Sequence, residues 1–183
     1  MAIIENNTSF IIDCGPGVVR RAAAAALNLG IKELEARHLT TAFLTHLHSD
    51  HTVGYPDLIF TPWVMRRRNP LVVYGPDGTQ AMTHHILTAY QADITERLRG
   101  LEPANEMGYQ VTVHEITPGI VYEDSNIQVE AFSVNHGSWP AFGYKFISAD
   151  RTVVISGDTA PTEGLVEHYK GCDVLIHEVY SVS

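Results

Sequence analysis

One short run constrains this chain more than any other: Thr45-His46-Leu47-His48-Ser49-Asp50-His51. It follows directly on Leu39 to Thr45, whose continuous apolar character reads as a buried strand. The fold must therefore carry a core strand that opens at its end into a loop of metal-competent side chains. His46 and His48 are two apart, so in extended backbone they project to the same side. Asp50 and His51 come where the chain turns into the next helix. Neutral imidazole and carboxylate suit a borderline divalent ion such as zinc. A solvated, histidine-rich loop is the plain alternative, and four ligands at this spacing behind a strand disfavour it.

Two later segments have the same form. Val134-Asn135-His136-Gly137 follows a strand, and Gly137 frees the backbone to turn. Ile155-Ser156-Gly157-Asp158-Thr159 also follows a strand and presents a carboxylate next to a glycine. Each alone is a weak signal. With the first cluster they add two ligands of matching chemistry.

The 183 residues predict one domain, 1–183, with a sizeable core. No apolar run approaches the ~20 residues that span a membrane, and Met1 to Phe10 has no signal-peptide pattern. Cys14 and Cys172 are too few for a disulfide scaffold and read as reduced, buried thiols of a cytoplasmic protein. The net charge is -9. Residues 1–100 hold nine basic and nine acidic residues, and residues 101–183 hold three and twelve, so the excess lies in the second half.

Pattern and punctuation predict strands at Ser9–Asp13, Leu39–Thr45 and Leu71–Tyr74. Helices are expected over Pro16–Leu29, over His51–Arg67 with a bend at Pro56 or Pro62, and over Thr79–Arg99. In the second half, strands are expected at Val111–Ile116, Ile127–Val134, Phe142–Ser148 and Thr152–Ser156. Ala149-Asp150-Arg151 closes a hairpin between the last two. A short helix, Thr162–Lys170, leads to a final buried strand, Asp173–Ile176. This interleaving is that of an α/β (α+β) layered domain.

The run His46-x-His48-x-Asp50-His51, then His136, then Ser156-Gly157-Asp158-Thr159 resembles the metallo-β-lactamase superfamily in type and order. Ile12-Asp13-Cys14-Gly15-Pro16-Gly17, Pro70-Leu71-Val72-Val73-Tyr74-Gly75-Pro76 and Leu175-Ile176-His177-Glu178 are similar to its ribonuclease Z-like phosphodiesterase branch. The resemblance covers nearly the whole chain. It implies a four-layer αββα sandwich and a dinuclear centre. His46, His48 and His136 would hold one divalent ion, Asp50 and His51 the other, and Asp158 would bridge them. Zinc is the expected metal, with Mn2+ or Fe2+ as alternatives. Asp50 would accept a proton from the attacking water, and His177 would steady or protonate the leaving group. Against the family pattern the chain looks short at both ends, lacking a first strand and a last histidine ligand. A weakly active or non-catalytic metal-binding fragment is therefore the rival reading, and exposed sheet edges predict a homo-oligomer.

The resulting expectation is a metal-dependent hydrolase of a small-molecule phosphodiester, ester or lactone. A tRNA 3′-processing endonuclease and a β-lactamase are both disfavoured. Nucleic acid is set aside as a partner because only 22 positions separate His136 from Asp158, which leaves no room for a basic arm. The acidic second half would also repel a polyanion. Many zinc β-lactamases place a cysteine where this chain has Asp158. Arg66-Arg67-Arg68 reads as a solvated helix end. Trp63, Trp139 and Phe142 fit a substrate mouth and a plain core equally well. His84-His85 reads as solvated, and no partner is evident for His38, His114 or His168.

Overall fold

The computed structural model describes residues 1–101 and 103–179. The chain divides into two compact units, residues 1–115 and residues 116–183. Each is built on one five-stranded sheet.

The first sheet runs β1 (Ala2–Glu5), β2 (Thr8–Ile12), β3 (Thr41–Phe43), β4 (Leu71–Gly75), β5 (Val111–Glu115), in that spatial order. β2 to β5 are parallel. Parallel neighbours need crossovers, and each crossover here carries a helix. These are α1 (Val18–Leu29), then α2 (Ser49–Thr52) with α3 (Tyr55–Val64), then α4 (Thr79–Ala89) with α5 (Gln91–Arg99). Ile11, Ala42 and Val73 pair side by side across the sheet and join one buried cluster with Val19, Leu58, Ile59 and Trp63 from the helices. The alternate row is aromatic. Phe43 stacks on Tyr74 at 4.9 Å, and Tyr74 stacks on His114 at 4.8 Å. His114, which sequence left without a partner, thus ends a cross-strand ladder.

Several elements differ from expectation. β1 was not foreseen. It forms a hairpin with β2 through Asn6 and Asn7, both at positive φ, as a two-residue turn of matching twist requires. The expected helix over His51–Arg67 is two helices with a break at Gly54. The Gly54 amide donates to the Cys14 carbonyl at 2.7 Å, and a Cβ there would lie 2.3 Å from the Gly15 carbonyl oxygen. Two backbone segments touch, so the helix cannot run through. The long helix over Thr79–Arg99 also breaks, at Tyr90. Thr88 bonds back to the His84 carbonyl at 2.8 Å just before the break, a contact that loosens a helical turn.

The basic run is not a solvated end. Arg66 and Arg68 are exposed, but Arg67 is fully buried. Its guanidinium donates to the carbonyls of Leu39 (2.9 Å), Leu58 (2.9 Å), Ile59 (2.7 Å) and Gly108 (2.8 Å). Four acceptors offset the desolvation of one cation. Burial still depresses its pKa to about 10. Trp63 is core too, 1% exposed, with its indole N–H donating to the Asn105 carbonyl.

The second sheet has the order β10 (Val174–Ile176), β9 (Thr152–Ile155), β8 (Phe142–Ser148), β7 (Ile127–Ser133), β6 (Gly119–Glu123). It is antiparallel from β6 to β9. β10 returns parallel to β9 by way of α6 (Leu165–Tyr169). The β8–β9 hairpin is as expected, closed by the Ser148 amide on the Arg151 carbonyl. β6 was missed because its register slips at a bulge between Ile120 and Tyr122, which blurs the period of two. Phe132, Val154 and Leu165 pack with Tyr169 and Cys172. His168 stacks on Phe132 at 4.4 Å. The final strand is not buried: Val174 and Leu175 are 45% and 44% exposed. Cys172 is half-buried rather than buried, while Cys14 is fully enclosed.

Candidate metal centre

In the first unit, β3 ends at Phe43 and the chain stays buried through Leu44, Thr45 and His46. Thr45 is where the histidine-bearing loop is fastened. Its amide donates to Asp13 Oδ1 at 2.8 Å, and its hydroxyl lies 2.9 Å from Asp13 Oδ2. Asp13 closes the neighbouring strand β2 and holds φ at 59°, the left-handed region that aspartate tolerates better than most side chains. The same carboxylate faces His51 Nδ1 at 2.8 Å. Asp13 appeared in sequence only as part of a motif. Nothing in its spacing could reveal a contact 38 residues away.

The rings of His46 and His48 lie 4.8 Å apart at 87°, and those of His46 and His51 lie 4.1 Å apart. In each pair one donor nitrogen lies within 4.8 Å of its counterpart on the other ring. His48 precedes the first turn of α2, which carries Asp50 and His51. Asp50 is 76% exposed at its side chain, with Oδ2 3.6 Å from His51 Nε2. His46 thus pairs with His48 on one side and with His51 on the other, His51 is anchored through its second nitrogen, and Asp50, predicted as a ligand, joins neither pair; imidazoles so placed offer the donor chemistry of a borderline divalent cation.

The second unit carries the other three predicted residues. His136 follows β7, and Gly137 takes φ 70° there. Asp158 follows β9, and Gly157 takes φ 62°. The two loops are laced together: the Ala160 amide donates to the Asn135 carbonyl at 2.7 Å, and the Asn135 amide donates to Thr159 Oγ1 at 3.2 Å. The Glu178 carboxylate accepts the Thr159 amide, and the Glu178 amide donates to Ser156 Oγ. His177 is exposed at the end of β10. Its Nδ1 is 2.7 Å from the Glu178 carbonyl, and its ring sits edge-on to Tyr169 at 5.4 Å. Glu178 was read only as the second half of a motif, and here it pins the loop of Asp158.

His84 and His85 are exposed on α4, as expected. Trp139 is 47% exposed and Phe142 is buried. No helix among the described residues is long and apolar enough to cross a membrane.

Known proteins share this fold. The model of the β-lactamase superfamily domain matches residues 8–183. The ribonuclease Z of Mycobacterium sp. (strain KMS) is 34% identical over 172 residues, which is 92% of this chain and 58% of that relative. Human tRNase Z, short form, superposes with a TM-score of 0.67 at 23% identity, over 95% of this chain and 68% of its own. Zn(2+)-bound PqqB from Methylobacterium extorquens gives 0.65 at 18% identity, over 97% and 55%. The two structures carry the fold. The chain spans somewhat under two thirds of the length of the curated relatives it matches.

These relatives correct one expectation. Nucleic acid was set aside as a partner on net charge and on the missing arm, yet the curated relatives are named for a ribonuclease. The physical fault lies in the charge count. A bound divalent ion is the largest local charge in such a site and reverses its sign, so an acidic total says little about a phosphate at the centre.

Proposed function

We propose, from the fact that this chain belongs to the β-lactamase superfamily, that it is a metal-dependent hydrolase of phosphodiester bonds whose substrate class is RNA, the 3′ ends of tRNA first among them. The observation that carries this reading is the 34% identity to ribonuclease Z along 92% of the chain. The ligand run His46-x-His48-x-Asp50-His51 stands inside the matched region. One domain model running from residue 8 to residue 183 supports a single-domain organisation, and two free cysteines support a cytoplasmic setting.

In this reading the side chains that the resemblance singles out, His46, His48, Asp50 and His51 in the first unit and His136 and Asp158 in the second, would be the ones to hold divalent metal. Zinc suits the donors best. When bound, such ions polarise a phosphoryl oxygen and bring the pKa of water toward ~7. The protein does the rest. Asp50, exposed and next to His51, accepts the proton of the attacking water. His177 holds its Nδ1 on the Glu178 carbonyl, which leaves Nε2 to give a proton to the departing oxygen when the ring is charged. Asp13 and Glu178 fix the loops on which these groups stand.

The test is cleavage of a precursor-tRNA transcript and of a chromogenic phosphodiester by metal-loaded protein, with a chelated control and His48→Ala. Chelator-sensitive cleavage of the transcript, lost in the variant, is expected. Cleavage of neither substrate by folded, metal-loaded protein overturns the reading.

A further inference from the structure

We propose that Thr45 is a positioning residue that sets the tautomer of His46, so that one hydroxyl and one carboxylate present both His46 and His51 through Nε2. This rests on the metal-binding reading of these two histidines. The geometry lies wholly within the first unit. The Thr45 hydroxyl has one proton and two candidate acceptors. Asp13 offers Oδ2 at 2.9 Å and Oδ1 at 3.1 Å, while His46 offers Nδ1 at 3.0 Å. An ionised carboxylate only accepts. Turning the hydroxyl proton toward His46 would leave an oxygen lone pair against a carboxylate oxygen at 2.9 Å. The proton therefore goes to Asp13, and the hydroxyl accepts N–H from His46 Nδ1. His46 is thereby the Nδ1–H tautomer, with its lone pair on Nε2. His51 reaches the same state directly, by donating Nδ1–H to Asp13 Oδ2. Thr45 has no solvent exposure, so water cannot replace its hydroxyl without a rearrangement. A ligand histidine is commonly fixed by a carboxylate on its far nitrogen. Here the carboxylate reaches one ring directly and the other through a side-chain hydroxyl.

The experiment is 15N NMR of the imidazoles in metal-free protein, on the wild type, Thr45→Val and Thr45→Ser, followed by zinc titration of each. In the wild type, both His46 and His51 are expected as Nδ1–H. Thr45→Val keeps the branched shape and the backbone bond to Asp13, so His51 stays Nδ1–H while His46 relaxes to a mixture of tautomers. Zinc affinity then falls about 10–100-fold. Thr45→Ser restores both the tautomer and the affinity. A wild-type His46 with its proton on Nε2 overturns the proposal without any variant. So does a Thr45→Val spectrum in which His46 is unchanged, or a serine variant that fails to restore it. Absence of zinc binding in the wild type would instead overturn the metal reading, since the tautomers are read without metal.

Discussion

Two parallel strand pairs, one in each unit, solve the same mechanical problem in the same way. At the ends of β2 and β3, Asp13 accepts the amide of Thr45, one residue before His46. At the ends of β10 and β9, Glu178 accepts the amide of Thr159, one residue after Asp158. In both, a carboxylate past one strand pins a threonine past its neighbour, so the candidate ligand beside that threonine leaves the sheet in a fixed direction. The difference is what else the carboxylate touches. Asp13 also bonds the His51 ring and, through Thr45, faces that of His46. Glu178 meets the serine that opens the Asp158 loop through its backbone amide rather than its carboxylate. The first clamp, as proposed above, bears on ring tautomer as well as position, and the second bears on position. Their surroundings differ accordingly. The first unit backs its loop with a dense cluster around α1 and α3 and a buried arginine. The second carries its clamp on a strand with exposed apolar residues.

The harshest way to break the comparison is to remove the frame of the first unit. Arg67→Ala strands the carbonyls of Leu39, Leu58, Ile59 and Gly108, and a loss of roughly 3–5 kcal/mol is expected in urea unfolding. Arg68→Ala, at an exposed position in the same run, should stay within about 0.5 kcal/mol. If the two variants match, the buried guanidinium is not what holds this region.

The two clamps can be set against each other by matched substitutions. Asp13→Asn leaves a side chain that tolerates the left-handed backbone, so it removes charge rather than shape. Zinc affinity measured by calorimetry should fall about 10–100-fold, because the His51 ring loses its anionic partner. Glu178→Gln should cost less than about tenfold, while the Thr159 amide exchanges faster with deuterium. Equal losses would mean that Asp13, too, acts through position alone.

The smallest effect sharpens the picture of the frame. Tyr55 is fully buried, and its hydroxyl lies 2.7 Å from Thr83 Oγ1, whose own proton goes to the Thr79 carbonyl. The phenol therefore donates, and Tyr55→Phe should cost about 1 kcal/mol at neutral pH. Burial pushes its pKa above the usual value of 10. Ionisation thus favours the unfolded chain, so the stability it contributes is complete below pH 10 and is lost as the pH rises beyond. Denaturation across pH 8–11 should show a shallower alkaline decline in the phenylalanine variant.

Sequence carried the candidate site further than the fold around it. The strand-end positions of the histidine run after β3, of His136 and of Asp158, and strands β4, β7, β8 and β9, all follow from short-range pattern, because periodicity and strand-end placement are local properties. What escaped was set by distant contacts. Gly54 breaks a helix where Gly15 lies against it, and the nearby Pro56 read only as a bend because that contact is distant in sequence. Arg67 reads as solvated until four carbonyls from three segments are brought to it. Asp13 and Glu178 show their work only when a neighbouring strand supplies a threonine amide. The exclusion of nucleic acid failed for a related reason: a net charge averages over the chain and omits the ion.

The buried arginine also sets a timetable. Of its four acceptors, Leu39, Leu58 and Ile59 precede it in the chain, and Gly108 comes 41 residues later. On a ribosome, chains emerge at about 5–20 residues per second. For several seconds, then, this side chain has most of its partners in reach but not the last. Until the segment around Gly108 arrives, keeping the guanidinium in water is cheaper than enclosing it. The enclosure of this one charge therefore waits on a segment made well after the helix that carries it.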